Sequence, residues 1–467
     1  MGAGAFKLLF LALMGAGIPV AIAMAAASLV YVLIEGNPPA FVVIHRMVAG
    51  IDSFPLLAVP FFILAGNLMN SAGITTRIYN FALALVGWAK GGLGHVNIVG
   101  SVIFAGMSGT AIADAAGLGT IEIKAMREHG YEAEFAVGVT AASATLGPII
   151  PPSLPFVIYA MFANVSVGAL FLAGLMPGLV LTVLMMATVA FIAHRKGWGG
   201  DVAWNGPRVG KALVELIIVA AFPLLLWALA RIGISLNIGF PLALAALLLA
   251  DRRYRFNAVL PIMTPVLLIG GMTTGLFTAT EGAIAASVWA LFLGGVWYRS
   301  LSWRMFVKAS MDTVETTATV LFIVAAASIF GWMLTATRAT EMIASGILSV
   351  ASEPWQFLLL ANALMLFVGC FLEPTAAITI LVPILLPIVQ KLGIDPVHFG
   401  LVMVLNLMIG LLHPPMGLVL FVLARVAKLS VERTTMAILP WLIPLLLALM
   451  LVTFIPAISL WLPRLLA

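Results

Sequence analysis

Long apolar runs separated by short polar breaks fill this chain, at about 8–34, 54–70, 96–123, 134–166, 168–193, 213–230, 236–250, 258–277, 282–298, 310–336, 355–389, 398–424 and 438–463. A hydrocarbon core about 30 Å thick takes about 20 apolar residues per helical crossing. The pattern therefore predicts an all-α, polytopic membrane protein and excludes a single-span receptor or an anchored enzyme. The first run continues to Ile34, beyond the short apolar core of a signal peptide, so it is expected to be retained, with Gly15-Ala16-Gly17-Ile18-Pro19 a place where it bends or splits.

Two stretches about 260 residues apart share one interruption. The first has Ser108-Gly109-Thr110 inside an apolar run, then Gly147-Pro148-Ile149-Ile150-Pro151-Pro152-Ser153 inside the next; the second has Glu373-Pro374-Thr375, then Gly410-Leu411-Leu412-His413-Pro414-Pro415. Paired interruptions in corresponding halves are the best sequence pointer to a transporter's binding site. Proline has no N–H and its ring clashes with the carbonyl four residues back. Pro151 and Pro152 are thus expected to release the carbonyls of Gly147 and Pro148, and Pro414 and Pro415 those of Gly410 and Leu411. In lipid such carbonyls are tolerated only where protein buries them or a wet cavity receives them, and a cation is one natural partner. Sodium would find Ser108, Thr110, Gly147 and Pro148 in one half and Thr375, Gly410 and Leu411 in the other. Half-helices beginning after Thr110 and Thr375 would turn positive dipole ends toward an anionic substrate.

Basic residues orient the runs, because cytoplasmic loops carry the excess of Lys and Arg. Lys90 and the Lys124/Arg127 cluster share a side only if the run between them enters and leaves on the cytoplasmic face, as a re-entrant hairpin with Ser108-Gly109-Thr110 at its tip. Counting on through His194-Arg195-Lys196, Arg252-Arg253, Arg299 and Arg425 makes 355–389 a second hairpin that opens to the outer face. Leu321-Phe322-Ile323-Val324-Ala325 also resembles Phe61-Phe62-Ile63-Leu64-Ala65. The chain is thus read as an N-terminal scaffold span over 1–49, a first inverted repeat over 50–195, scaffold and connecting helices over 196–309, a second repeat over 310–425, and a C-terminal span over 426–467.

Composition agrees: of 467 residues 63% are hydrophobic and only 9% charged, against roughly 25% charged in an ordinary globular domain. The net charge of +5 comes from loops between spans and speaks to topology, not to nucleic acid. The single cysteine, Cys370, permits no intrachain disulfide and no CxxC site, and is read as packing. No HExxH, GxSxG or phosphate loop occurs, which argues against an intramembrane enzyme, and no cofactor is expected beyond sodium as coupling ion.

Five polar residues are weighed between a structural and a functional role. Asp114 either caps or salt-bridges a helix or touches a ligand. Glu281 is either an outer-loop charge or a functional intramembrane carboxylate, and Glu373 at the second tip favours function. His413 is a buried, hydrogen-bonded histidine or an ion or proton ligand. Arg338 marks the outer interface or binds an anion.

Pro60-Phe61-Phe62-Ile63-Leu64-Ala65-Gly66 with Leu68-Met69-Asn70, Ser108-Gly109-Thr110 through Asp114-Ala115-Ala116, the Gly147–Ser153 stretch, Leu381-Val382-Pro383-Ile384-Leu385-Leu386-Pro387 and Gly393-Ile394-Asp395-Pro396-Val397-His398-Phe399-Gly400 resemble the large membrane subunit of the tripartite ATP-independent periplasmic (TRAP) transporters over nearly the whole chain. The resemblance implies sodium-driven import of a small organic acid such as a dicarboxylate or sialic acid across the bacterial inner membrane. It further implies an elevator domain carrying both hairpins, a small four-helix membrane subunit and a periplasmic substrate-binding protein. The chain departs from the family pattern at His413, commonly Thr, at Val419, commonly Asn, and at Glu373, commonly Asp. The alternatives are a stand-alone sodium/dicarboxylate symporter of similar architecture and, behind it, an ion channel.

Overall fold

In lipid the backbone of each segment must satisfy its own hydrogen bonds, and a helix does so internally. The computed structural model is helical and, among the described residues, has no strand. It describes residues 3–36, 39–231, 235–254, 256, 258–273, 276–337, 339–413 and 417–466. Seven of these helices are long and apolar enough to cross a membrane.

The N-terminal run splits into α1 (Ala3–Gly15) and α2 (Val20–Glu35), which pack on each other across a turn with Gly17 at φ 81° and Pro19 capping α2. Next come α3 (Phe41–Ile51), α4 (Ala58–Ser71) and α5 (Ile74–Val86). Helices α3 and α5 escape a search for unbroken apolar runs because His45 and Arg46, and Thr75, Thr76, Arg77 and Asn80, interrupt them. They are amphipathic: α5 buries Ile74, Ile78, Phe81 and Ala82, a single helical face.

The first interrupted stretch forms α6 (Gly92–Ser108), α7 (Ala111–Ala116) and α8 (Leu118–Glu128), then α9 (Ala133–Ala144) and α10 (Leu154–Ala163). Both ends of the α6–α8 segment meet at Asp201, whose Oδ2 accepts from the Leu93 amide at 2.8 Å and from the Tyr131 hydroxyl at 2.6 Å. The segment is therefore a hairpin, with Gly109 at φ 64° turning its tip. Helices α9 and α10 hold 12 and 10 residues, each rising about 15–18 Å at 1.5 Å per residue, so end to end they have the length of a single crossing, interrupted over residues 145–153. Every residue from 135 to 160 is buried, as is every residue from 398 to 412.

The chain continues with α11 (Val167–Lys196), α12 (Gly206–Arg231), α13 (Leu236–Tyr254), α14 (Val259–Thr273) and α15 (Ala279–Leu291), the last extended by a π-helical turn over Phe292–Trp297. On this flank Leu224 and Leu249 are 67% and 70% exposed, a surface suited to lipid. Then follow α16 (Trp303–Ala336), α17 (Ala339–Val350), α18 (Pro354–Gly369), α19 (Pro374–Lys391), α20 (Pro396–Gly410), α21 (Leu418–Ala427), α22 (Val431–Phe454) and α23 (Ala457–Leu466).

Packing repeats itself across the two halves. The first leg of each hairpin lies on the pre-break helix of its own half, α6 on α9 and α18 on α20. Past each tip the partners exchange: α7 packs on α21, and α19 on α10. Helix α22 lies along α9 as α11 lies along α20. One end of the molecule gathers Arg127 donating to the Ala427 carbonyl at 3.1 Å and the ion pairs Lys196–Glu132 and Arg433–Glu134. The Arg433 guanidinium holds the Glu134 carboxyl below its usual range. At the opposite ends of α10 and α20, the Tyr159 hydroxyl donates to the Pro396 carbonyl at 2.7 Å.

Candidate functional site

The tip of the first hairpin rests on the break between α9 and α10. A Cβ placed on Gly109 would lie 2.8 Å from the Pro152 carbonyl oxygen, and one on Gly147 would lie 3.0 Å from that of Thr110. The Leu154 amide donates to the Gly109 carbonyl at 3.4 Å. From the other side α4 approaches through Gly66, whose Cβ would sit 3.2 Å from Ser108 Cα. At Gly109 a side chain is excluded by the 2.8 Å approach, and at Gly147 and Gly66 it would be tight against backbone, which accounts for glycine in three of the motifs named above.

Ser108 is buried and its hydroxyl has no partner among the described residues. Thr110 caps α7, its Oγ1 accepting from the Ala113 amide at 3.3 Å. Ser153 caps α10 and donates to the Pro148 carbonyl at 2.5 Å. The expected release of Pro148 is thus met within the protein: the hydroxyl supplies the hydrogen that proline withholds.

In the second half the hairpin and the break meet through two glycines, a Cβ on Gly410 falling 2.7 Å from Gly369 Cα. Several expectations change here. Helix α19 begins at Pro374, capped by Glu373, and not after Thr375. The Glu373 carboxyl takes the Thr375 hydroxyl at 2.8 Å and the Ala376 amide at 3.3 Å, so the positive helix end is already capped from within the chain. Helix α7 spans only six residues before Gly117 breaks it, which leaves few aligned peptides to build a dipole. The Gly410 carbonyl accepts from the His413 amide at 3.0 Å instead of standing free, and the Leu411 carbonyl faces Gly417. Cys370 does more than pack: its Sγ lies 3.3 Å from His413 Nδ1 and 3.1 Å from the Leu366 carbonyl. Arg338, Pro414 and Pro415 lie outside the described residues.

Two acids part company. Glu281, itself exposed, closes a capping box with Thr278 at the start of α15. Asp114 is 1% exposed beside Ser101, and its Oδ2 has no partner among the described residues. It is in no salt bridge there.

A polar clamp in each half had escaped the sequence reading. Asn97 on α6 donates to Glu122 Oε2 at 2.6 Å and to Thr140 Oγ1 at 2.8 Å, and accepts from Ser143 at 2.7 Å; Ser101 donates to Ser143 at 3.1 Å. In the second half Asn406 on α20 donates to Asn362 Oδ1 on α18 at 2.8 Å, and Asn362 donates to Thr453 at 3.1 Å. The signal was present: Asn97 and Asn362 stand eleven residues before Ser108 and Glu373, and Ser143 and Asn406 four before Gly147 and Gly410. Interhelical hydrogen bonds in membranes average only about 0.6 kcal/mol, so these clamps set the register of hairpin on helix more than they add stability.

Residues 8–458 match the sequence profile of the tripartite ATP-independent periplasmic transporter, DctM component. The chain belongs to this family. As a TRAP large permease it is a transporter component and not an enzyme. It is 42% identical to the sialic acid TRAP transporter large permease protein SiaM of Vibrio cholerae, over 98% of this chain and 97% of that one. It is 38% identical to the sialic acid TRAP transporter permease protein SiaT of Haemophilus influenzae, over 98% and 68%, and 32% identical to the C4-dicarboxylate permease DctM of Rhodobacter capsulatus, over 98% and 98%. Among solved structures, the Alcanivorax borkumensis YdaH transporter superposes with a TM-score of 0.61 at 14% identity, over 90% of the TRAP permease and 88% of that chain. Neisseria gonorrhoeae MtrF gives 0.60 at 13%, over 89% and 84%. Those two likenesses concern the fold alone.

Proposed function

We propose that this TRAP permease drives uptake of a small organic acid with sodium across the inner membrane. It would receive the acid from a periplasmic binding protein and work beside a small membrane subunit. The reading rests on the docking of the first hairpin tip against the α9–α10 break. That contact sets the Pro152 carbonyl oxygen against Gly109 and the Thr110 carbonyl oxygen against Gly147, with the buried Ser108 hydroxyl, unpartnered among the described residues, at the same tip. Such oxygens suit an alkali cation. The exchanged packing of α7 on α21 and α19 on α10, with matched clamps at Asn97 and Asn362, supports two inverted repeats. The buried broken helices over 135–160 and 398–412, with the exposed apolar faces of α12 and α13, support an elevator motion. Relatives named for sialic acid make that acid the first substrate to test. Energetically the coupling is sufficient: one charge crossing 100 mV supplies about 2.3 kcal/mol, more than the roughly 1.4 kcal/mol of a tenfold gradient.

The test is uptake of labelled sialic acid and C4-dicarboxylates into proteoliposomes holding the permease, its small subunit and the binding protein. Uptake is expected with a sodium gradient and to vanish when choline replaces sodium; persistence in choline overturns the coupling. Uptake that proceeds without the binding protein would favour the stand-alone symporter.

The inverted hairpins carry a further prediction. In a Cys370→Ser background, Lys124→Cys is expected to label with an impermeant thiol reagent from the cytoplasmic side and Lys391→Cys from the periplasmic side. Labelling of both from one side removes the inversion.

A further inference from the structure

Beside the first hairpin lies a carboxyl that the sodium reading leaves unused. Glu122, on α8, is 2% exposed. Its Oε2 accepts one hydrogen of the Asn97 amide at 2.6 Å, while Oε1 has no partner among the described residues. The α6 backbone closes that side, since a Cβ on Gly100 would lie 2.8 Å from Oε1. The surrounding hydrogens point elsewhere: Asn97 gives its second to Thr140, Thr140 donates to the Ala136 carbonyl, and Ser143 donates to Asn97 Oδ1. The charged and titratable groups that face Glu122 are Asp114 on α7 and the Tyr79 phenol on α5. From α6 and α9 the cluster receives Asn97, Ser101, Thr140 and Ser143, all uncharged. No cation is among them, and Asp114 carries the same sign as Glu122.

A carboxylate removed from water without a counter-ion is strongly disfavoured, and such a group is neutralised by what it binds. An alkali ion needs several oxygens around it. Glu122 instead meets an amide N–H at one oxygen and a close helix backbone at the other, with the Asn97 carbonyl oxygen turned toward Ser143. A proton needs neither a cage nor a cavity. We propose that Glu122 is a proton-binding site of the permease, held as a neutral acid against Asn97, whose deprotonation sets an alkaline limit to transport. The sign follows from the contact: with the proton on, the α6–α8 hairpin sits on α9 without a buried charge. As pH rises and the proton leaves, an uncompensated negative charge appears in the buried contact between the hairpin and α9, and the hairpin's seat on α9 is disturbed.

Infrared spectroscopy of the purified permease in lipid nanodiscs tests the site without any substrate, so its outcome is independent of the sodium reading on which only the uptake arm rests. At neutral pH a protonated-carboxyl band is expected, reduced in Glu122→Gln and retained from Glu122 in Asp114→Asn. Should the variant fail to assemble, carboxyl-labelled glutamate in the unsubstituted protein still decides against the proposal: the absence of any glutamic-acid band overturns it. In proteoliposomes at fixed sodium, uptake of labelled sialic acid is expected to fall several-fold as pH rises, and Glu122→Gln, permanently neutral, is expected to abolish that fall. An unchanged pH profile in Glu122→Gln overturns the proposal. So does a shifted sodium half-saturation with an unchanged pH profile, which would assign the carboxyl to sodium.

Discussion

Gly109→Ala is expected to lower uptake by more than tenfold, whereas Gly73→Ala is expected to leave it within about twofold of the parent. Both glycines have positive φ, 64° and 68°, and a side chain in the left-handed region costs about 1–2 kcal/mol at either place. Their surroundings differ. Around Gly73 a Cβ would meet nothing within 4 Å, while at Gly109 it would meet the Pro152 carbonyl oxygen at 2.8 Å. That oxygen belongs to backbone and cannot swing aside, so the hairpin tip must lift from the break. Gly73→Ala thus carries the backbone strain alone, and the difference between the variants reports the docking. Uptake rates normalised to assembled protein decide it: equal losses would mean that only strain matters, and normal uptake in Gly109→Ala would mean that the tip need not dock.

Replacing Pro151 and Pro152 together by alanine is expected to raise the half-saturating sodium concentration about tenfold, or ~1.4 kcal/mol of binding. Alanine restores two N–H groups, one four residues after Gly147 and the other four after Pro148, so both carbonyls can return to a helical ladder. The second of these would displace the Ser153 hydroxyl, which now bonds Pro148 and caps α10. Oxygens tied up in a ladder face away from the tip, and α9 and α10 would tend to join into one continuous helix. A sodium titration of uptake with assembly monitored in parallel is the measurement. A half-saturation equal to the parent's would make the prolines shape-determining only, and would move the search for the ion toward Asp114.

Much of the architecture was legible because it follows from composition and from backbone chemistry. Apolar runs long enough to cross a bilayer and prolines that cannot donate act locally, so the position of each break and the turn at Ser108-Gly109-Thr110 could be read from residues alone. Amphipathic α3 and α5 were not, since a polar residue on one face interrupts an apolar count without interrupting a helix.

The site was legible in its location and not in its hydrogen bonding. A proline states that a carbonyl loses its usual donor, but not who replaces it. Ser153 takes Pro148, and the His413 amide takes Gly410. Glu281 and Asp114 look alike as lone acids in apolar surroundings, yet one is exposed and closes a capping box at the start of α15 and the other is buried beside Ser101.

By itself the sequence determined a helical membrane protein of the TRAP permease family with two interrupted halves, because hydropathy, proline and family motifs are properties of neighbouring residues. Only the tertiary structure decided that Gly109 meets Pro152, that Gly369 meets Gly410, and that Glu122 lies against Asn97 with no cation in reach among the described residues. Those contacts join positions tens of residues apart. They depend on how closely two backbones approach and on which donor faces which acceptor, and spacing along the chain encodes neither.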